Sequence, residues 1–146
     1  ADVLQHLIDT QRDFMLKAGA EMPDPAPVVA RGPADAWRTH AEATARNLAD
    51  PRIGEAPHET PFGTSTVGAV LNDFYGFDMI VHRWDIARAA GLDARLTEAE
   101  LEQIDTLAQG WGDQLYAEGI CAPAVEVGPE ATHEARVLAR FGRDAR

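Results

Sequence analysis

The sequence predicts an all-α fold, a four-helix bundle with long crossover connections, and three observations carry that prediction. Apolar residues recur at i, i+3 and i+4 through four long stretches. Prolines and glycines gather between those stretches. Period-two alternation, the mark of a half-buried strand, is nearly absent. A length of 146 residues with 45% hydrophobic content suits one domain, residues 1–146, with a real core.

The first helix is expected over about Asp2 to Ala20, where Val3, Leu4, Leu7, Ile8, Phe14, Met15 and Ala18 follow helical spacing. The pattern is under way by the third residue, so the chain is expected to lack a segment upstream of Ala1. Met22-Pro23-Asp24-Pro25-Ala26-Pro27 holds three prolines and reads as a stiff extended linker. A second helix starts near Pro33, a good first-turn residue, and runs to Asp50-Pro51 with a stripe of Trp37, Ala41, Ala45 and Leu48. Residues 51–64 read as a long connection with a short extended piece near Glu59 to Phe62.

Thr64 or Ser65 is expected to cap a long third helix that stops at Gly91. On it Val67, Val70, Leu71, Phe74, Phe77 and Val81 share one face, and Asp78, His82 and Asp85 fall on that face too. Thr97 to Glu100 reads as a capping box opening a fourth helix. Leu101, Ile104, Ala108, Trp111 and Leu115 are its inward residues, and it ends at Gly119. The tail reads as an extended Ala122 to Val127 and a short helix from Pro129 to Phe141.

Composition narrows the function classes. No apolar run approaches the roughly 18 residues of a membrane span, and no signal-peptide pattern opens the chain. The single cysteine, Cys121, rules out an internal disulfide framework and fits a reducing compartment. A formal net charge of −11 argues against a nucleic-acid surface, which needs a basic stripe. A soluble, cytoplasmic protein is expected. Cys121 has no neighbouring basic group or helix start to lower its pKa, and neither a phosphate-binding glycine loop nor a serine elbow is present.

What remains is Phe77-Asp78-Met79-Ile80-Val81-His82-Arg83-Trp84-Asp85. Ionisable groups along a core stripe are costly unless paired. A carboxylate and an imidazole one turn apart can grip one metal ion, and they can equally form a buried ion pair. With five histidines and 24 acids, about one acid four residues before a histidine is expected by chance. Two such helical pairs occur, Asp2-His6 and Asp78-His82. It is position on the apolar stripe that separates the second. His6 lies off its own helix's stripe, beside Asp2, Asp9 and Asp13, and reads as a flanking or surface histidine unless its flank faces a helix seam. His40 borders the Trp37 stripe as a spare ligand or an interfacial histidine, while His58 and His133 read as solvated. Asp85 can orient a ligating imidazole or pair with Arg88. Trp84 and Trp111 read as core or interface residues.

Asp2-Val3-Leu4-Gln5-His6-Leu7-Ile8, followed far downstream by Asp78-Met79-Ile80-Val81-His82-Arg83-Trp84-Asp85-Ile86-Ala87-Arg88-Ala89-Ala90-Gly91, resembles the DinB-like metal-binding bundles. The likeness is to the actinobacterial branch related to the metal-binding domain of mycothiol-dependent maleylpyruvate isomerase. Pro123-Ala124-Val125-Glu126-Val127 and Leu138-Ala139-Arg140-Phe141-Gly142-Arg143 are similar to that branch as well, so the resemblance spans nearly the whole chain. It implies a four-helix bundle with an early histidine and a later acid-x3-His pair as ligands, here His6, Asp78 and His82. Asp78 stands where many members have His or Glu, and its shorter side chain would draw the metal toward its helix or hold it less tightly. Two departures limit the transfer: the family's helix before the histidine-bearing one has no counterpart, and neither has the isomerase's further C-terminal domain. The isomerase reaction itself is therefore not carried over.

The resemblance implies a metal held by His6, Asp78 and His82, and a divalent ion, zinc or nickel, with Asp85 supporting a ligating imidazole, is the expectation built on it. It further implies thiol-dependent transferase or isomerase-like chemistry, with mycothiol as the thiol and an electrophilic small molecule as its partner. The alternatives are a non-catalytic metal- or partner-binding module of the same fold, and, more weakly, a metal-activated hydrolase. Without the family's preceding helix one side of the bundle would be open unless a partner chain or missing residues fill it, and this with three tryptophans makes a homodimer the expectation.

Overall fold

The structure is a computed structural model that describes residues 1–117 and 119–145. The described residues are mostly helical with one small β-hairpin, and the chain divides into two compact units, Ala1–His82 and Arg83–Arg146.

In the first unit, α1 (Asp2–Lys17) buries Leu7, Ile8, Phe14 and Met15 at the expected spacing. Asp2 in its first turn and Lys17 in its last complement the helix dipole. The proline linker follows without regular structure, and a 3₁₀ turn, Val29–Arg31, leads into α2 (Pro33–Leu48). Pro33 sits in the first turn of α2, where the missing N–H costs nothing. Ile8, Val29 and Ala36 pack together, with Leu4 and Trp37 against them. A second apolar group joins Phe14, Met15, Ala20, Met22 and Ala43 to Val67 and Val70.

The expected loop at 51–64 is more ordered than the sequence implies. Asp50 caps a single turn, α3 (Pro51–Gly54), by accepting the Arg52 N–H. Strands β1 (Pro57–Thr60) and β2 (Gly63–Thr66) then pair antiparallel, from Pro57 opposite Thr66 to Thr60 opposite Gly63. The hairpin corrects the helix cap. Thr64 and Ser65 are strand residues opposite Glu59 and His58, and Thr66 is the N-cap, its hydroxyl accepting the Ala69 N–H.

The expected third helix is three pieces: α4 (Val67–Val70), a π-helical turn (Leu71–Tyr75) and α5 (Gly76–Ala89). A π turn carries an extra residue, so the helix downstream lags by roughly a quarter turn. The single apolar face expected from Val67 to Val81 is thereby broken. On α5 the buried residues are Phe77, Val81, Trp84 and Ala87, and Asp78, His82 and Asp85 each follow a buried neighbour. They ride the half-buried shoulder of the stripe, not its centre. The helix stops where expected, as Gly91 adopts φ +67° and the Leu92 N–H reaches back to the Ala87 carbonyl.

In the second unit, α6 (Glu98–Trp111) opens with the expected capping box between Thr97 and Glu100. It gives way after Trp111 to a 3₁₀ turn, Gly112–Tyr116. Leu101, Ile104, Ala108 and Leu115 are buried as expected, whereas Trp111 is only half-buried. Glu118, within the expected helix, lies outside the described residues. The last helix, α7 (His133–Arg140), begins later than expected and is capped by Thr132. Arg140 reaches Asp105 of α6 at 2.9 Å, and Glu134 accepts the Leu96 N–H at 2.8 Å.

Gly142, just past α7, has φ +75°, and a Cβ there would stand 2.8 Å from the Ala122 Cβ and 3.2 Å from the Pro123 carbonyl oxygen. Gly19, past α1, has a similar φ of +82° with nothing within 4 Å. Gly19→Ala should therefore cost about 1 kcal/mol from the left-handed backbone alone. Gly142→Ala should cost more, about 2–3 kcal/mol, because the contact adds to the strain. Urea unfolding of the two variants measures the difference.

Candidate metal centre

His6 lies on the second turn of α1, while Asp78 and His82 are one turn apart on α5, all within the first unit. One ligating atom from each lies within 4.8 Å of the other two. Asp78 Oδ1 is 3.3 Å from His82 Nε2. Two donors on a tetrahedral zinc at about 2.0–2.1 Å are roughly 3.3 Å apart, so this pair already stands at ligand spacing. The His6 and His82 rings meet edge to face at 5.9 Å. His6 is exposed, and its imidazole can swing about an ångström without repacking the core.

Two imidazoles and one carboxylate form the nitrogen and oxygen donor set that zinc and nickel accept, and three donors leave positions open. The His82 and Asp78 side chains are 17% and 31% exposed. A ligand can therefore approach from solvent. Without an ion, Asp78 and a protonated His82 would form an ion pair.

Tyr75 ends the π turn one helical turn before Asp78, and its ring packs 5.1 Å from Phe14. Burial pushes its phenol pKa up, the Lys17 ammonium opposes, and Asp13 and Asp78 add to the rise. The hydroxyl thus keeps its proton at neutral pH within electrostatic reach of Asp78. Tyr75 has no mark in the sequence beyond its nearness to Asp78.

The other expected residues have these contacts in the structure. Arg143 Nε and Nη2 donate to Asp85 Oδ1 and Oδ2 at 3.2 and 2.7 Å, a fork that ties the tail to α5 within the second unit. Arg88 stacks on Trp84, 5.3 Å from the ring centroid. His40 is fully buried, and its Nε2 lies 2.9 Å from Gln11 Oε1. His58 is not solvated as expected: it is half-buried, its ring edge-on to Phe14 at 5.1 Å. His133 is exposed and pairs with Glu98. Gln11, only 4% exposed, is a buried polar residue that the sequence reading passed over, though it fills the gap between Leu7 and Phe14 in the α1 stripe.

No family model, curated protein or solved structure matches this chain.

Burial lowers the pKa of His40 below the ordinary 6.5, with Arg12 adding to the fall and Asp9 opposing. The unfolded chain then takes up a proton at His40 before the folded one does. Stability from this group is full above pH 6.5 and is lost as pH falls toward the lowered folded value. Thermal unfolding from pH 7.5 to 5.5 should show a falling melting temperature, with a shallower fall in His40→Gln. Parallel slopes in the two proteins would contradict a buried, neutral imidazole.

Proposed function

We propose that this chain is a DinB-like, divalent-metal-binding helical protein and acts as a thiol-dependent transferase or isomerase-like enzyme. The observation that carries the reading is the meeting of His6 from α1 with Asp78 and His82 from α5, with ligating atoms within 4.8 Å. The resemblance implied this same triad. The thiol, mycothiol in that resemblance, rests on the likeness alone.

In this reading His6 and His82 supply neutral nitrogen donors and Asp78 supplies one negative charge to zinc or nickel. A bound ion would supply Lewis acidity that favours the thiolate form of a low-molecular-weight thiol at neutral pH. Three protein donors leave room for that thiol. Tyr75, one helical turn before Asp78, is a candidate hydrogen-bond donor to charge that develops on an electrophile. The exposure of His6 favours a reactive site over a purely structural ion, which a closed set of four donors would hold away from solvent.

Protein purified without a metal-affinity tag should carry about one zinc or nickel per chain. His82→Ala and Asp78→Ala should each lose most of it, and with it any turnover of a low-molecular-weight thiol with an electrophile. Full metal content in both variants, or no metal after zinc or nickel is added back, would remove the assignment. Metal that raises the melting temperature strongly, with no thiol turnover, would favour a non-catalytic module.

A further inference from the structure

A cavity of about 320 Å³ lies in the first unit, walled by α1, α2 and the run from α4 through the π turn into α5. Its surface is largely apolar, with Trp37, Leu48, Leu71 and Met79 as the large side chains. It falls in the size range of small-molecule sites. Among the described residues, no Lys, Arg, His, Asp or Glu lines it. A carboxylate or phosphate entering it would lose hydration with no counter-charge in return.

Four polar side chains belong to the wall, Gln11, Thr44, Asn72 and Tyr75, and the first two are buried and incompletely satisfied. Gln11 is 4% exposed and Thr44 is 8% exposed. Gln11 Oε1 is taken by His40 Nε2, while Gln11 Nε2 and Thr44 Oγ1 have no hydrogen-bond partner. His40 thereby fixes the orientation of the Gln11 amide and leaves its N–H groups as donors without an acceptor. Buried polar atoms of native proteins are nearly always paired, and a small turn of Gln11 or Thr44 toward the cavity would let an acceptor on a ligand supply the missing partner.

We propose that this cavity is a small-molecule site for a neutral, mainly apolar compound carrying a carbonyl-type hydrogen-bond acceptor. The apolar body fills the space among Trp37, Leu48, Leu71 and Met79, and the acceptor takes the donors of Gln11 and Thr44. The site goes beyond the metal reading and stands without it, since none of His6, Asp78 and His82 lines the cavity. Met79 follows Asp78 in the chain, so cavity wall and candidate centre share a turn of α5.

Three probes of similar size separate the alternatives: acetophenone, which has the acceptor, ethylbenzene, which lacks it, and benzoate, which replaces it with a charge. Ligand-observed NMR titration of the unaltered protein should show acetophenone binding at least about tenfold more tightly than benzoate, given the cost of burying an unpaired charge. Thr44→Val should weaken acetophenone severalfold, leave ethylbenzene unchanged, and not lower the melting temperature, because the lost hydroxyl had no partner. Ala45→Leu, which fills the cavity, should weaken both neutral probes. Benzoate binding as tightly as acetophenone, acetophenone unaffected by the filled cavity, or no binding of either neutral probe would overturn the proposal. The comparison of probes on the unaltered protein needs no variant to fold.

Discussion

The meeting of α1 with the start of α5 is the constraint on which the candidate metal centre depends. His6 lies near the beginning of that unit and Asp78 and His82 at its end, so everything between them folds back to bring the two helices together. Asp78 and His82 need only helical geometry to stand 3.3 Å apart. The second imidazole needs the tertiary fold. The apolar packing of Phe14 and Met15 with Val67 and Val70 is what holds α1 within reach.

The π turn between α4 and α5 decides which faces point where. It lets Val67 and Val70 join the core with Phe14 while Phe77 and Val81 begin a separate buried stripe along α5. Asp78 and His82 fall on the shoulder of that stripe, partly open to solvent. Full burial would have penalised both charges, and full exposure would have left the ligands to water. The π turn also carries Leu71, Asn72 and Tyr75, which line the apolar cavity. One local distortion thus shapes both the candidate centre and the cavity, in keeping with where such turns are found in proteins.

Much of this was legible from residue patterns, and the misses have physical causes. Spacing and caps located α1, α2 and α6, because Pro33, Thr97 and the 3.6-residue stripes act locally. The hairpin was hidden, since Pro57–Thr60 and Gly63–Thr66 are short and polar and lack an alternating apolar face. Its discovery moves the helix cap from Thr64 or Ser65 to Thr66. The π turn was hidden for a different reason: an extra residue in one turn is set by what each flank packs against, and an i, i+3, i+4 pattern reads straight through it. The same limit applies to polar residues in the core. His82 and Asp78 stood out beside apolar neighbours, whereas Gln11 and Thr44 look like ordinary surface residues until α1 and α2 pack together. His6 showed the reverse. Only the resemblance raised it above a surface histidine, and its approach to His82 in the fold rests on side-chain geometry.

Diffraction from a zinc-soaked crystal, recorded on both sides of the zinc absorption edge, tests the central claim most directly. The account predicts one anomalous peak about 2.0–2.2 Å from an imidazole nitrogen of His6, a carboxylate oxygen of Asp78 and His82 Nε2. A peak bound by Asp78 and His82 with His6 turned away, or no peak at this junction, would contradict it.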